Sequence, residues 1–511
     1  MRKINLIEYF ENTADLFPDK LALVDANSNL NFNDLRQKAK LIASQISNNN
    51  NGSVNTPVAI YLPKCNDAIA SFLGTLYSGN CYTPLDTKNP IPRIEAILKA
   101  LNPSCIITND RFISNIKKCN LDIKVINLDE LEQESKIDES FNYQKCIDTD
   151  PAYILHTSGS TGVPKGVVIS HLSIIDYINW VVETFDITEK EKVANQTPFI
   201  FDMSTLDIYL MIFKGATLFL IPEQKFIFPA TLLDYINEHK INFIFWVPSV
   251  LVNIANLKLL DSNKIPTVKK VLFGGEVMPP KHLGYWMRNL DKNIVYGNMY
   301  GPTEITGTCV YHIVDDTFNE NESLPIGKPC RNTDILILNE KDELCEVGEK
   351  GELCVRGSSL AQGYWNNFEK TNAVFVQNPL NNSVPERIYR TGDIAYLNDR
   401  GEYIYIGRKD FQIKISGYRV DLGEIEHCIL SVFDTINAGV FFDKAKNEIV
   451  LVYESENEIS VKDFRIKLMH VLSKHMIPTR YIKMDVLPKS TTGKIDRALL
   501  NNKINSAKTI Q

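Results

Sequence analysis

The chain has 511 residues, 44% of them hydrophobic and 23% charged, which suits a globular protein with two or more cores. A formal net charge of −7 and a pI of about 5.8 leave no general basic surface for nucleic acid or an anionic membrane, although a local basic site could still take an anionic substrate. Ten scattered cysteines include no C-x-x-C pair and no neighbouring histidine cluster, so zinc is not expected and reduced thiols in a cytoplasmic setting are.

Residues Met1 to Glu8 lack the apolar core of a signal peptide, and no uncharged apolar run reaches membrane-span length, so membrane insertion is not expected. The last residues, Ala507 to Gln511, carry no recognisable address. From Ile4 to Phe17 apolar residues recur at helical spacing, up to Pro18. Leu21 to Val24 is a short strand, and Asn31 to Leu35 opens a second helix with an Asn/Asp cap signal. Val58 to Leu62 is a strand and Asp67 to Tyr77 a helix, with Asn48 to Gly52 and the charged stretch from Glu132 to Asp150 as loops. This alternation to about residue 150 predicts α/β layers, without internal repeats.

A short apolar strand, Tyr153-Ile154-Leu155, then leads into Thr157-Ser158-Gly159-Ser160-Thr161-Gly162-Val163-Pro164-Lys165-Gly166. Its glycines permit φ > 0, so backbone N–H groups can turn inward, and four hydroxyls and one ammonium add donors. A loop of this kind can wrap a phosphate chain. A Ser/Gly surface linker has the same composition. It is not the Walker pattern, because Gly166 stands where a magnesium-holding hydroxyl would follow Lys165.

Ser173 to Thr184 reads as a helix, followed by Phe199 to Tyr209, where Asp202 sits among apolar residues. Asp202 is either the N-cap of the next helix or a carboxylate in an apolar pocket, which needs a partner such as a bound ammonium. Val271 to Phe273 is a buried strand that turns out at Gly274-Gly275-Glu276. After a second strand, Ile294 to Tyr296, comes Met299-Tyr300-Gly301-Pro302-Thr303-Glu304, where Tyr300 could stack on a base and Glu304 hold magnesium; an ordinary strand-to-loop turn also has this composition. Residues 326 to 406 are β-rich, and Asp393 in Tyr389-Arg390-Thr391-Gly392-Asp393 could accept from two vicinal hydroxyls. A basic loop and amphipathic strand follow, Gly407 to Val420, and then a polar turn, Leu487 to Arg497, whose Gly493-Lys494 is by composition a solvated turn.

Leu155 to Gly166 resembles the signature loop of the adenylate-forming superfamily, which includes acyl-CoA synthetases, luciferases and nonribosomal peptide synthetase adenylation domains. Further matches run in family order to residue 497, so the resemblance covers nearly the whole chain. It implies an α/β N-terminal core with a β-rich subdomain, residues 1–409, and a small mobile α+β domain, residues 410–511, hinged at Asp410. It further implies ATP and Mg²⁺ as cofactors and Lys494, Glu304 and Thr157 as catalytic residues, with Glu304 on the metal. Nucleotide contacts would come from Thr157, Ser158, Gly159, Ser160, Thr161, Gly162, Lys165, Gly275, Asn298, Met299, Tyr300, Gly301, Pro302, Thr303, Asp393, Tyr405, Arg408 and Lys494.

Members that activate amino acids carry an acid at the Asp202 position to bind the α-ammonium. The other pocket positions by resemblance are Met203, Leu206, Phe245, Leu272, Gly274, Met299, Gly307 and Thr308, with Lys494 at the carboxylate. None of those eight is charged, so an apolar side chain is expected. Phe245, Leu272 and Gly274 resemble pockets for branched aliphatic amino acids, whereas the motif wording resembles D-alanine–carrier protein ligases; Gly274 leaves room that ranks a larger aliphatic side chain first and alanine second. A monomeric, stand-alone enzyme is expected, loading the phosphopantetheine thiol of a separate carrier protein. An acyl- or aryl-CoA ligase is the alternative, against which Asp202 speaks. A catalytically dead scaffold would have lost Lys494, Asp393 or Glu304, and all three are present.

Overall fold

The computed structural model describes residues 3–131, 141–158, 164–315, 318–409, 412–415, 417–433, 437–443, 446–455, 458–488, 500 and 504. Two large sheets built by β-α-β crossovers form a big N-terminal body. A seven-stranded sheet carries the parallel strands Pro57–Ile60, Cys81–Pro84, Cys105–Thr108 and Val125–Asn127, joined to the antiparallel pair Pro151–Thr157 and Lys165–Ser170 and closed by Gly363–Tyr364. A nine-stranded sheet runs Phe243–Trp246, Lys270–Gly274 and Val295–Tyr300 side by side in parallel. All four positions of Phe243–Trp246 are buried, as expected of a parallel strand covered on both faces.

The layers between these sheets are helices whose ends are written in the sequence. Asn31 caps Phe32–Asn49, its side-chain oxygen accepting from the Asp34 amide at 2.7 Å, and Ser170 caps His171–Thr184 in the same way. The first helix is Leu6–Leu16, within the expected span. The Asn-rich stretch is not all loop, because the second helix runs on through Asn48 and Asn49. Of the expected loop from Glu132 to Asp150, residues 132–140 lie outside the described residues and Asn142–Lys145 forms a short 3₁₀ turn. The strand expected to end at Tyr296 continues to Tyr300, which places Met299 and Tyr300 in the sheet.

The β-rich reading of residues 326 to 406 corresponds to a five-stranded antiparallel sheet of Thr333–Leu338, Gly351–Gly357, Phe375–Gln377, Arg387–Leu397 and Tyr403–Arg408. A smaller C-terminal body follows, with its own core around Ile425, Ile429, Val440, Leu451, Phe464 and Leu468. It holds the hairpin Gln412–Ile415/Tyr418–Asp421, the helix Leu422–Val432 and a three-stranded sheet. The two bodies meet through a buried Arg93–Glu424 ion pair and a 2.6 Å hydrogen bond from Ser473 Oγ to Asn89 Oδ1.

Candidate functional site

The glycine loop closes a hairpin, not a strand-to-helix turn: Thr157 pairs directly with Lys165, and Leu155 with Val167. Thr157 is buried, and its Oγ1 has no hydrogen-bond partner among the described residues. A buried hydroxyl in that condition is suited to a ligand oxygen or a metal. Ser158 Oγ donates to the carbonyl of Arg419 at 3.0 Å. Gly159, Ser160, Thr161 and Gly162 lie outside the described residues, as do Asp410 and Lys494. The Lys165 ammonium stands 4.6 Å over the Tyr364 ring, and burial pushes its pKa down against the pull of Glu304.

Glu304, on the turn Thr303–Ile305, is fully buried. Its Oε1 accepts from the Tyr364 hydroxyl at 2.8 Å and its Oε2 from Arg419 at 2.7 Å. Burial works against its charge, but Arg419 and Lys165 outweigh it and hold the carboxyl down at about 2. Its partners Tyr364 and Arg419 were not among the expected site residues. Arg419 stands inside a family-like motif and so had a sequence signal; Tyr364, in the short edge strand Gly363–Tyr364, had none.

The donor chemistry suits magnesium, which takes one or two carboxylates alongside phosphate oxygens and water. Glu304 offers an ionised carboxylate and Thr157 an unpartnered hydroxyl. No group of three or more His, Cys, Asp or Glu able to hold a metal occurs among the described residues, so substrate phosphates would have to complete the shell. In this arrangement the Arg419 guanidinium already holds the Glu304 oxygen.

At the other end of the site Asp393 and Arg408 are directly paired across two strands, and Arg408 donates to Asp393 Oδ1 at 2.8 Å. The Tyr300 hydroxyl donates to Asp393 Oδ2. Tyr300 and Tyr405 bring their rings within 6.1 Å, and Asn298 donates to the Pro325 carbonyl at 2.8 Å. Gly301 is required by crowding: a Cβ there would lie 2.3 Å from the Gly307 carbonyl oxygen.

A cavity of about 300 Å³ lies between these two ends. Its wall includes Thr157, Ser158, Gly275, Gly301, Pro302, Thr303, Asp393 and Arg408 from the expected nucleotide set. It also includes Asp202, Met203, Phe245, Gly274, Met299, Gly307 and Thr308 from the expected substrate set. Lys165, Asn298, Tyr300, Glu304 and Tyr405 stand off the wall; Glu304 is covered by Arg419. Leu206 and Leu272 are also off it, fully buried in the core. Nor does Gly274 open the room expected of it, because a Cβ at that position would lie 2.5 Å from the Met299 carbonyl oxygen of the neighbouring strand. The glycine serves the close approach of two strands.

Asp202 occupies the position before the helix Met203–Lys214 but makes no side-chain cap hydrogen bond. Burial raises its pKa, with the Thr303 hydroxyl and Lys414 acting in the opposite direction. Lys414, absent from the expected set, lines the cavity; desolvation lowers its pKa, and Asp393 and Asp202 raise it. Lys414 and Arg419 sit directly opposite each other on their hairpin and so share one face. Like charges there repel. Arg419 meets Glu304, and Lys414 lies in the field of Asp393 and Asp202, which offsets the repulsion.

The chain matches the AMP-binding enzyme family over residues 10–365. It is 30% identical over 503 residues to zwittermicin A synthase ZmaJ of Bacillus cereus, covering 96% of this chain and 93% of that protein. It is 32% identical over 504 residues to surfactin synthase subunit 1 of Bacillus subtilis (strain 168), covering 97% of this chain but 14% of that much longer protein. Among solved structures it superposes on the Vibrio cholerae adenylation domain AlmE in complex with glycyl-adenosine-5'-phosphate (TM-score 0.82, 22% identity, 99% of this chain and 98% of that one). It also superposes on a fused adenylation–PCP di-domain, NpsA-ThdA from Klebsiella oxytoca (TM-score 0.81, 21% identity, 94% of each chain). A phosphate-type loop at Thr157, a paired Asp393 and a buried ionised Glu304 around one cavity, together with these matches, place the chain among the AMP-binding enzymes of the adenylate-forming superfamily, AMP-forming ligases that activate a carboxylate as its adenylate.

Proposed function

We propose that the enzyme activates a small apolar amino acid as its aminoacyl adenylate and passes it to the phosphopantetheine thiol of a carrier protein presented in trans. The observation that carries this reading is Asp202, a carboxylate on the cavity wall that caps no helix. An incoming α-ammonium would give it a direct partner, where Lys414 supplies only a field. Met203, Phe245 and Met299 surround an uncharged side-chain space that suits an apolar side chain.

The roles follow from charge. A carboxylate attacks the α-phosphorus of ATP, its oxygen forms the new P–O bond, and pyrophosphate leaves. Two anions must approach, so cations and N–H groups are needed where negative charge builds. Asp393 would hold the ribose hydroxyls, giving up its bonds to Tyr300 and Arg408. The loop from Thr157 to Lys165 would hold the outgoing phosphates and Lys494 would bridge substrate and nucleotide. Magnesium held by Glu304 would neutralise the leaving pyrophosphate.

The arrangement of the C-terminal body suits the second, thioester-forming half. The Gly417 amide donates to Glu276 Oε1 at 2.9 Å, and Gly417, at φ +82°, packs where a Cβ would meet Val247 at 2.8 Å. We place the hinge at Asp410, dividing residues 1–409 from 410–511.

The test is ATP–pyrophosphate exchange with glycine, alanine, valine, leucine, both enantiomers where they exist, and the des-amino acids. Wild type should prefer an amino acid, and Asp202→Ala should lose about ten- to a hundred-fold of that preference, the worth of a charge-assisted contact of about 1.5–3 kcal/mol. Preference for a des-amino acid by the wild type, with free CoA as the better acceptor, would replace this reading with an acyl-CoA ligase.

A further inference from the structure

Each Glu304 oxygen accepts a hydrogen bond in this arrangement, one from the Tyr364 hydroxyl and one from Arg419, and the residue is fully buried. A buried carboxylate stripped of its cation is strongly unfavourable. When pyrophosphate carries its metal away, Glu304 would be left in that condition unless another cation arrived. Arg419 is the cation that meets it, 115 positions away in sequence, on the hairpin strand Tyr418–Asp421.

We propose that Arg419 is a built-in counter-cation that takes the divalent cation's place at Glu304, so that the carboxylate binds one or the other and the hairpin seats only after the metal has gone. This rests on the adenylating role of the site and adds an order of events to it.

Three further contacts hold the guanidinium in register. Its Nε donates to Gln412 Oε1 at 2.8 Å. The Arg419 carbonyl accepts from Ser158 Oγ at 3.0 Å, so the same residue occupies one hydroxyl of the phosphate loop. Two positions earlier, the Gly417 amide is held by Glu276, whose other oxygen accepts from the Ser249 amide at 3.1 Å. A metal at Glu304 would face a guanidinium already in hydrogen-bond contact with the same carboxylate, and Lys165, which adds to the field on Glu304. Like charges at that range repel several-fold more strongly inside a protein than in water. The carboxylate therefore works as a seat for one cation at a time.

Binding linkage makes the idea measurable without any amino acid substrate. Competition between two cations for one carboxylate is reciprocal, with a coupling of roughly five- to a hundred-fold. Mn²⁺ binding to the full chain, with pyrophosphate present, is measured by electron paramagnetic resonance for wild type, Arg419→Gln and Arg419→Lys. Arg419→Gln should bind Mn²⁺ tighter by that factor and Arg419→Lys should restore wild-type affinity in part. Equal Mn²⁺ affinity for wild type and a folded Arg419→Gln protein overturns the proposal. Hydrogen exchange on the wild type tests it should the variant not fold. Mn²⁺ with pyrophosphate should speed exchange of the Gly417 and Val420 amides, whereas unchanged protection at saturating Mn²⁺ overturns the proposal. Because neither measurement includes an amino acid, failure of the substrate assignment in pyrophosphate exchange would remain a separate result.

Discussion

Glu304 and Asp202 are both enclosed carboxylates around one cavity, and they fall on opposite sides of their ordinary titration range. Glu304 is held down at about 2, whereas Asp202 is raised. Both feel the desolvation of burial, which disfavours charge. The difference lies in the cation. Arg419 contacts Glu304 at 2.7 Å, but the Lys414 ammonium acts on Asp202 only as a field and is shared with Asp393. One carboxylate thus has a cation in contact, and the other has neutral hydrogen-bond donors and only the field of a cation.

The largest effect belongs to a third cation, Lys494, which lies outside the described residues. Lys494→Ala should slow pyrophosphate exchange by about 10²–10³-fold, the usual loss of one group stabilising transition-state charge, while equilibrium ATP binding changes little. Near-normal exchange in the variant would remove Lys494 from the chemistry.

Next comes the cost of breaking the satisfied pair. Arg419→Met leaves Glu304 buried without its cation and should cost about 3–5 kcal/mol, read as a lower urea or thermal midpoint. Asp202→Asn, measured in the same way, should be neutral or slightly stabilising, because it removes a charge that burial disfavours and that no cation contacts. Similar losses in both variants would dissolve the contrast.

The smallest effect is in pH. A carboxyl whose folded pKa is lowered contributes stability above its ordinary value, lost as pH falls, so Glu304 contributes above about 4.5 and that contribution fades towards about 2. A raised folded pKa works the other way: the Asp202 contribution is present below 3.8 and is lost as pH rises through its raised value. Denaturation midpoints at about pH 3 and about pH 7 should therefore show Asp202→Asn gaining on wild type at the higher pH and Glu304→Gln losing ground there. The same slope in both variants would mean that the two carboxylates share one environment.

The expected roles of the glycine loop, the acid at 393 and Glu304 came from the resemblance to the adenylate-forming superfamily; local chemistry supplied groups suited to those roles, glycine spacing and two carboxylates, but also fitted a Ser/Gly linker and an ordinary turn. Strand and helix periods likewise depend on neighbouring residues, and the Asn31 and Ser170 caps act within three residues of themselves. Packing, by contrast, is not local. Leu206 and Leu272 have identities suited to a pocket, and the structure sets them in the core, off the cavity wall. Gly274 signalled space, and the space is filled by the Met299 backbone of the adjacent strand.

By itself, then, the sequence determined which chemical groups are available and the layered α/β architecture that carries them, because both follow from short-range periodicity and residue type. Only the tertiary structure decided which cation meets which carboxylate. Lys414 and Arg419 are five positions apart in the chain, yet antiparallel register places them directly opposite on one hairpin face. The packing of that hairpin against the N-terminal body then sends Arg419 to Glu304 and leaves Lys414 between Asp202 and Asp393. Coulomb energy in a buried site depends steeply on distances of a few ångströms, and such distances between remote residues are set by packing, which no local pattern encodes.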